Sequence, residues 1–138
     1  MKTAEVIIRK AKAADAAALA ELFRSSWHVA YRGIIPHFHL ETIIHNRAEP
    51  WWKRLISVGD NLLVMELGDE LAGYTTYGRS RWPLKPEGEV YELYLGPIYQ
   101  GIGLGEHLFE AARHRLEIRR LRGLLIWALK DNLGACDF

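Results

Sequence analysis

Residues 92–105 read Glu92-Leu93-Tyr94-Leu95-Gly96-Pro97-Ile98-Tyr99-Gln100-Gly101-Ile102-Gly103-Leu104-Gly105. The stretch joins a strand to the start of a helix. Glu89 to Leu95 alternates Val90, Glu92 and Tyr94 against Tyr91, Leu93 and Leu95, which predicts a strand with Glu92 on the face of Val90 and Tyr94. Gly96 and Pro97 end it. From Leu104 the apolar positions Leu108, Ala112 and Leu116 recur at four-residue spacing, so a helix follows. Backbone N–H groups in a first helical turn have no internal partners, and glycines let an anion approach without a Cβ in the way, so Gly101, Gly103 and Gly105 read as a phosphate cradle. It is not a dinucleotide fingerprint, because Glu106 stands where the third glycine of G-x-G-x-x-G would fall. No Gly-Lys-Ser or Gly-Lys-Thr is present for a nucleotide P-loop.

Upstream, Glu5 to Lys10 predicts a short strand and Ala14 to Tyr31 a helix, with Leu19, Leu22, Phe23, Trp27 and Ala30 spaced for one face and Asp15 in the first turn. Gly33 and Pro36 interrupt before a second helical region, His37 to Ile56, expected to break at Pro50. Asn61 to Leu67 and Glu70 to Tyr77 flank Gly68 and Asp69 at hairpin spacing, so they form an antiparallel pair. Arg79 to Gly88, with three Pro and Gly breakers, reads as a loop. Leu124 to Lys130 is almost wholly apolar and reads as a central strand. The predicted fold class is therefore α/β, an α+β mixed sheet that joins an antiparallel meander to one strand, crossover helix and strand unit.

The chain has 138 residues, 49% of them hydrophobic, which suits one domain, residues 1–138, with a sizeable core. Lys and Arg number 18 against 17 Asp and Glu. This balance argues against a nucleic-acid partner, whose phosphates demand a basic excess. The densest basic run, Arg113 to Arg122, is interleaved with Glu110 and Glu117 and suits a solvated helix end. No apolar run is long enough to cross a bilayer, and no signal-peptide core stands at the N-terminus. A single cysteine, Cys136, fits a reducing compartment, so a cytoplasmic location is expected. His37, His39 and His45 lack Cys or acidic partners at metal-ligand spacing, and no metal is expected.

With these residues in view, the sequence resembles the GNAT family of acyl-CoA-dependent N-acetyltransferases. Gln100, Gly103 and Gly105 match the family's Q/R-x-x-G-x-G/A motif, after a Glu-Leu-Tyr-Leu strand and a Pro-x-Tyr-Gln turn. Trp27, Ala30, Tyr31, Arg32, Gly33 and Pro36 resemble the stretch between the first two helices of bacterial members. Asn132, Ala135 and Phe138 resemble the start of its Asn-x-x-Ala-x-x-Phe-Tyr segment. The resemblance implies a GNAT-like fold with acetyl-CoA as donor and transfer of acetyl directly to a primary amine on a small molecule or peptide. It further implies that the pyrophosphate lies on the amides of Gly101, Ile102, Gly103, Leu104, Gly105 and Glu106 after Gln100, that the pantetheine arm runs along Leu93, Tyr94 and Leu95, and that Asn132 belongs to the cofactor site. A backbone N–H near Leu93 to Leu95 would polarise the thioester carbonyl.

An alkylammonium must lose a proton before it attacks a thioester. Glu92 is the candidate base, resembling the strand glutamate of some relatives; its other reading is a carboxylate paired with an arginine or facing solvent. Tyr31 and Arg32, in the turn before Pro36, are candidates for the acceptor cleft. Trp27 and one of Trp51 and Trp52 are expected in the core. Members of the family usually continue past the position of Phe138, so the fold is expected to be C-terminally shortened, with the Leu124 to Lys130 strand as an open edge completed in a homodimer. A non-catalytic acyl-CoA-binding sensor or degenerate enzyme, or an interaction module using that edge, are the alternative functions.

Overall fold

A computed structural model of the chain describes residues 5–59, 61–80, 88–119 and, for their backbone, 124–126. The elements follow the expected order: β1 (Val6–Lys10), α1 (Ala16–Tyr31) led by a 3-10 turn at Ala13–Asp15, α2 (His37–Asn46), α3 (Glu49–Val58), β2 (Leu62–Leu67), β3 (Glu70–Arg79), β4 (Gly88–Leu95), α4 (Leu104–Ile118) and β5 (Leu124–Ile126). Strands β1 to β4 pair antiparallel with their neighbours in sequence, and α4 carries the chain over to β5, parallel to β4. The α/β class is as the sequence indicates.

Each face of the sheet is covered because the strands alternate. Leu62 and Val64 of β2 and Tyr74 of β3 pack with Leu19, Phe23 and Trp52 of α1 and α3. Leu63, Tyr77 and Val90 meet Ala112 and Leu116 of α4, while Met65, Ala72 and Leu95 meet Leu104 and Leu108. Leucines wholly withdrawn from water, such as Leu19 and Leu108, contribute about 1.5–3 kcal/mol each. In the basic run, Arg113 pairs with Glu110 and Glu117 on α4 and Arg119 is exposed, while Arg120 and Arg122 lie outside the described residues.

Four sequence expectations need correction. The helical region after Pro36 breaks at Arg47 and Ala48, not at Pro50, which sits in the first turn of α3, where a missing N–H costs nothing. Arg79 and Gly88, assigned to a loop, are paired strand ends. In the described sheet β5 is the edge strand beside β4 and not a central one; the rest of its predicted span, 127–130, lies outside the described residues. Finally, Val90 and Glu92 do not share a face. Thr76 pairs with Glu92 and Tyr77 with Val90, which leaves Tyr91 as an extra residue in β4. That bulge shifts the alternation by one, so Val90 packs toward α4 while Glu92 and Tyr94 look toward α1 and α3.

Candidate active site

The described pairing of β4 with β5 runs from Gly88 to Val90 and ends at the bulge. Beyond it, residues 92–95 pair with β3 on one side. The turn that follows is fastened by local bonds and by bonds to α1 and the β2–β3 hairpin. Gly96 N–H donates to Ala72 O at 2.7 Å, and Tyr99 N–H donates to Gly96 O at 2.9 Å. Gln100 Nε2 and the buried Ser26 Oγ both donate to Leu95 O, at 3.0 and 3.4 Å. Gln100 thus spends its amide nitrogen on the end of the strand. Tyr99 Oη reaches Glu70 Oε2 on the hairpin, 2.8 Å away.

Gly101 and Gly103 take φ of +79° and +85°, a left-handed backbone that side chains rarely adopt. Gly103 is the N-cap of α4 and supplies no side-chain cap, so the N–H groups of Leu104, Gly105 and Glu106 keep their donor capacity. A Cβ at Gly101 or Gly103 would meet nothing within 4 Å. The loop is therefore open, and its glycines serve the backbone path. Uncapped amides at the positive end of a fifteen-residue helix suit the pyrophosphate of a CoA thioester. Glu106 is exposed, so only its N–H belongs to this cradle; Leu104 is buried, and Ile102 faces solvent.

Across β4, Glu92 is the centre of a polar cluster under an aromatic wall. Arg47, in the junction between α2 and α3, donates Nη2 to Glu92 Oε1 at 2.7 Å and Nη1 to Oε2 at 3.1 Å. Longer contacts come from Tyr74 Oη at 3.5 Å and Thr76 Oγ1 at 3.4 Å. Side-chain exposures of 18% for Arg47 and 19% for Glu92 leave the pair partly open. Burial first, then the charge of Glu92, raises the Tyr74 and Tyr94 hydroxyls well above the usual phenol range, so both stay protonated. Tyr31 adds to the rise at Tyr94, and its ring centre lies 4.4 Å from that of Trp27.

Of the residues singled out from sequence, the fold thus gathers Glu92, Tyr94 and Tyr31 on one side of β4 and places the glycine loop at its end. Leu93 and Leu95 point to α4 and offer their backbone. The Arg32 side chain is exposed at the end of α1. Trp52 is wholly buried, and Trp27 packs half-buried against the core. Asn132 and Cys136 lie outside the described residues. His37, His39 and His45 are exposed on α2, and among the described residues no group of three His, Cys, Asp or Glu is arranged to hold a metal. Sequence reasoning missed Arg47 and Tyr74. Neither carries a motif, and Arg47 is one of three cations near Trp51 and Trp52 in sequence, with Lys53 and Arg54.

A profile described as the acetyltransferase (GNAT) family matches residues 17–138. The chain belongs to this family. It is 26% identical over 132 residues to the uncharacterized N-acetyltransferase YuaI of Bacillus subtilis (strain 168), covering 92% of this chain and 73% of that protein. Its fold is similar to the PaiA N-acetyltransferase of Thermoplasma acidophilum in complex with coenzyme A, with a TM-score of 0.82 at 20% identity over 96% of this chain and 85% of the other. It is also similar to the ribosomal-protein-alanine N-acetyltransferase of Brucella melitensis biovar Abortus 2308, with a TM-score of 0.68, 18% identity and coverages of 97% and 88%. As a GNAT enzyme the chain is an N-acetyltransferase, and acetyl-CoA is its acyl donor.

Proposed function

We propose that this GNAT enzyme moves acetyl directly to a primary amine of a small molecule or peptide, with Glu92 as the base. The observation that carries the reading is the bulge at Tyr91, which turns the half-buried Glu92 carboxylate toward α1 and α3, immediately before the strand that leads into the glycine loop. Bound acetyl-CoA supplies the activated acyl carbon. The N–H groups of Leu104, Gly105 and Glu106 hold the pyrophosphate, and the backbone of Leu93 to Leu95 lines the pantetheine arm and offers an oxyanion donor. Glu92 accepts one proton from the acceptor ammonium, leaving a neutral amine whose nitrogen attacks the thioester carbon; the C–S bond breaks, CoA leaves as its thiolate, the second nitrogen proton passes to water, and water protonates the thiolate. Tyr31, stacked on Trp27, and the exposed Arg32 flank the acceptor's entry. Charge balance and the lone cysteine support a cytoplasmic enzyme, and the apolar 124–130 run supports self-association, which sedimentation at micromolar concentration tests.

The test follows CoA thiol release with tyramine, glycinamide, cadaverine and trialanine as acceptors. Glu92→Gln should lower kcat for any accepted amine by about 10²–10⁴-fold while acetyl-CoA still binds. Undiminished turnover in that variant overturns the assignment of the base.

A further inference from the structure

We propose that Arg47 is the positioning residue of Glu92, holding its carboxylate anionic and aimed at the aromatic side of β4 as the acceptor arrives. The inference rests on the reading of Glu92 as base.

Arg47 is locked at both ends. Its carbonyl accepts from Nε1 of the wholly buried Trp52 at 2.9 Å, which fixes the junction between α2 and α3. Its guanidinium carbon lies 3.7 Å from the Trp51 ring centre and 4.5 Å from that of Phe23, so the planar head is stacked before it meets Glu92. An arginine used only for packing needs no carboxylate. Here Nη1 and Nη2 each take a separate oxygen of Glu92, the two-pronged geometry that fixes a carboxylate's plane as well as its place.

The fork itself leaves lone pairs on both oxygens. A carboxylate offers about four lone-pair sites, and Arg47 takes one on each oxygen. The contacts from Thr76 and Tyr74 of β3 are long. Among the described residues, the titratable groups facing the carboxylate include the hydroxyls of Tyr74 from β3 and Tyr94 from β4. Arg47 supplies the positive charge that offsets the carboxylate's desolvation under the aromatic wall. It trades some basicity of Glu92 for having the proton absent when the ammonium docks.

The experiment compares kcat/KM against pH, at saturating acetyl-CoA, for wild type, Glu92→Gln, Arg47→Met and Arg47→Lys, using tyramine or whichever other panel amine reacts. Arg47→Met keeps the packing volume and removes the charge. Its acid limb should move up by about 1–3 pH units, so that activity near pH 6 falls further below its own plateau than it does in wild type. Arg47→Lys should restore the limb part-way, because an ammonium keeps the charge without the fork. A merely structural arginine would lower the whole profile without moving the limb. Coincident limbs in wild type and Arg47→Met, with the limb absent in Glu92→Gln, overturn the role of Arg47 and spare the base. An unchanged limb in Glu92→Gln overturns the base itself. Should Arg47→Met fail to fold by circular dichroism, Arg47→Lys decides, and an unmoved limb at full rate overturns the proposal.

Discussion

Gly73 passes so close to Tyr94 that a Cβ on it would stand 2.5 Å from the Tyr94 carbonyl oxygen and 2.7 Å from Leu95 Cδ2. The absence of a side chain lets β3 and β4 meet where β4 leads into the glycine loop. Strand β3 cannot retreat, because it is also paired to β2 at this position. Gly73→Ala should therefore cost about 1–3 kcal/mol by overpacking. Gly59→Ala is the control, since its Cβ meets nothing within 4 Å and its φ of −169° is extended backbone; it should stay within about 0.5 kcal/mol. Urea denaturation midpoints of the two variants check both values.

Acid should loosen the other end of the fold. Arg9 donates to both oxygens of Asp15, at 2.8 and 2.9 Å, and also reaches Glu66. The hydrogen bond from Arg9, opposed by burial and aided by the Lys12 N–H, holds Asp15 below the usual carboxylate range. A carboxyl depressed in the folded state adds stability above its unfolded pKa of about 3.9 and loses it as pH falls through the folded value. Asp15→Asn should then cost stability at pH 7 and progressively less in acid. Denaturation at about pH 7, 5 and 3 measures the convergence, and a constant difference would contradict the linkage.

Trp52 ties the core to the polar cluster. It stands edge-on to Tyr74 at 4.9 Å and donates its indole N–H to Arg47 O. Trp52→Phe keeps an aromatic ring and removes the donor, leaving that carbonyl without its partner. Loss of about 1–3 kcal/mol of stability is expected. A fall in kcat at low pH beyond what Arg47→Lys shows would mean that the junction between α2 and α3 sets Arg47 as much as the guanidinium fork does.

The element order and the glycine loop were legible because their signals are local. Period-four leucines, a Gly-Asp turn and glycines ahead of a helix need no knowledge of distant neighbours. The bulge at Tyr91 was not, since nothing in Val90-Tyr91-Glu92 departs from alternation; the extra residue is recognised only against the register of β3. Arg47 escaped for the same reason, its partner standing 45 positions away. Pro50 was misread because proline breaks helices in general but suits a first turn, and the position of that turn depends on how Arg47 and Ala48 are held.

The central claim is that the open turn at Gly101 and Gly103 binds the donor through uncapped amides of α4. Isothermal titration of the purified chain with acetyl-CoA tests it most directly, beside Gly103→Val, whose branched side chain must be forced into a φ of +85°. Saturable binding by the wild type, weakened about tenfold or more in the folded variant, is the predicted result. A folded wild type that takes up no acetyl-CoA, or a folded Gly103→Val that binds it equally well, would contradict the account.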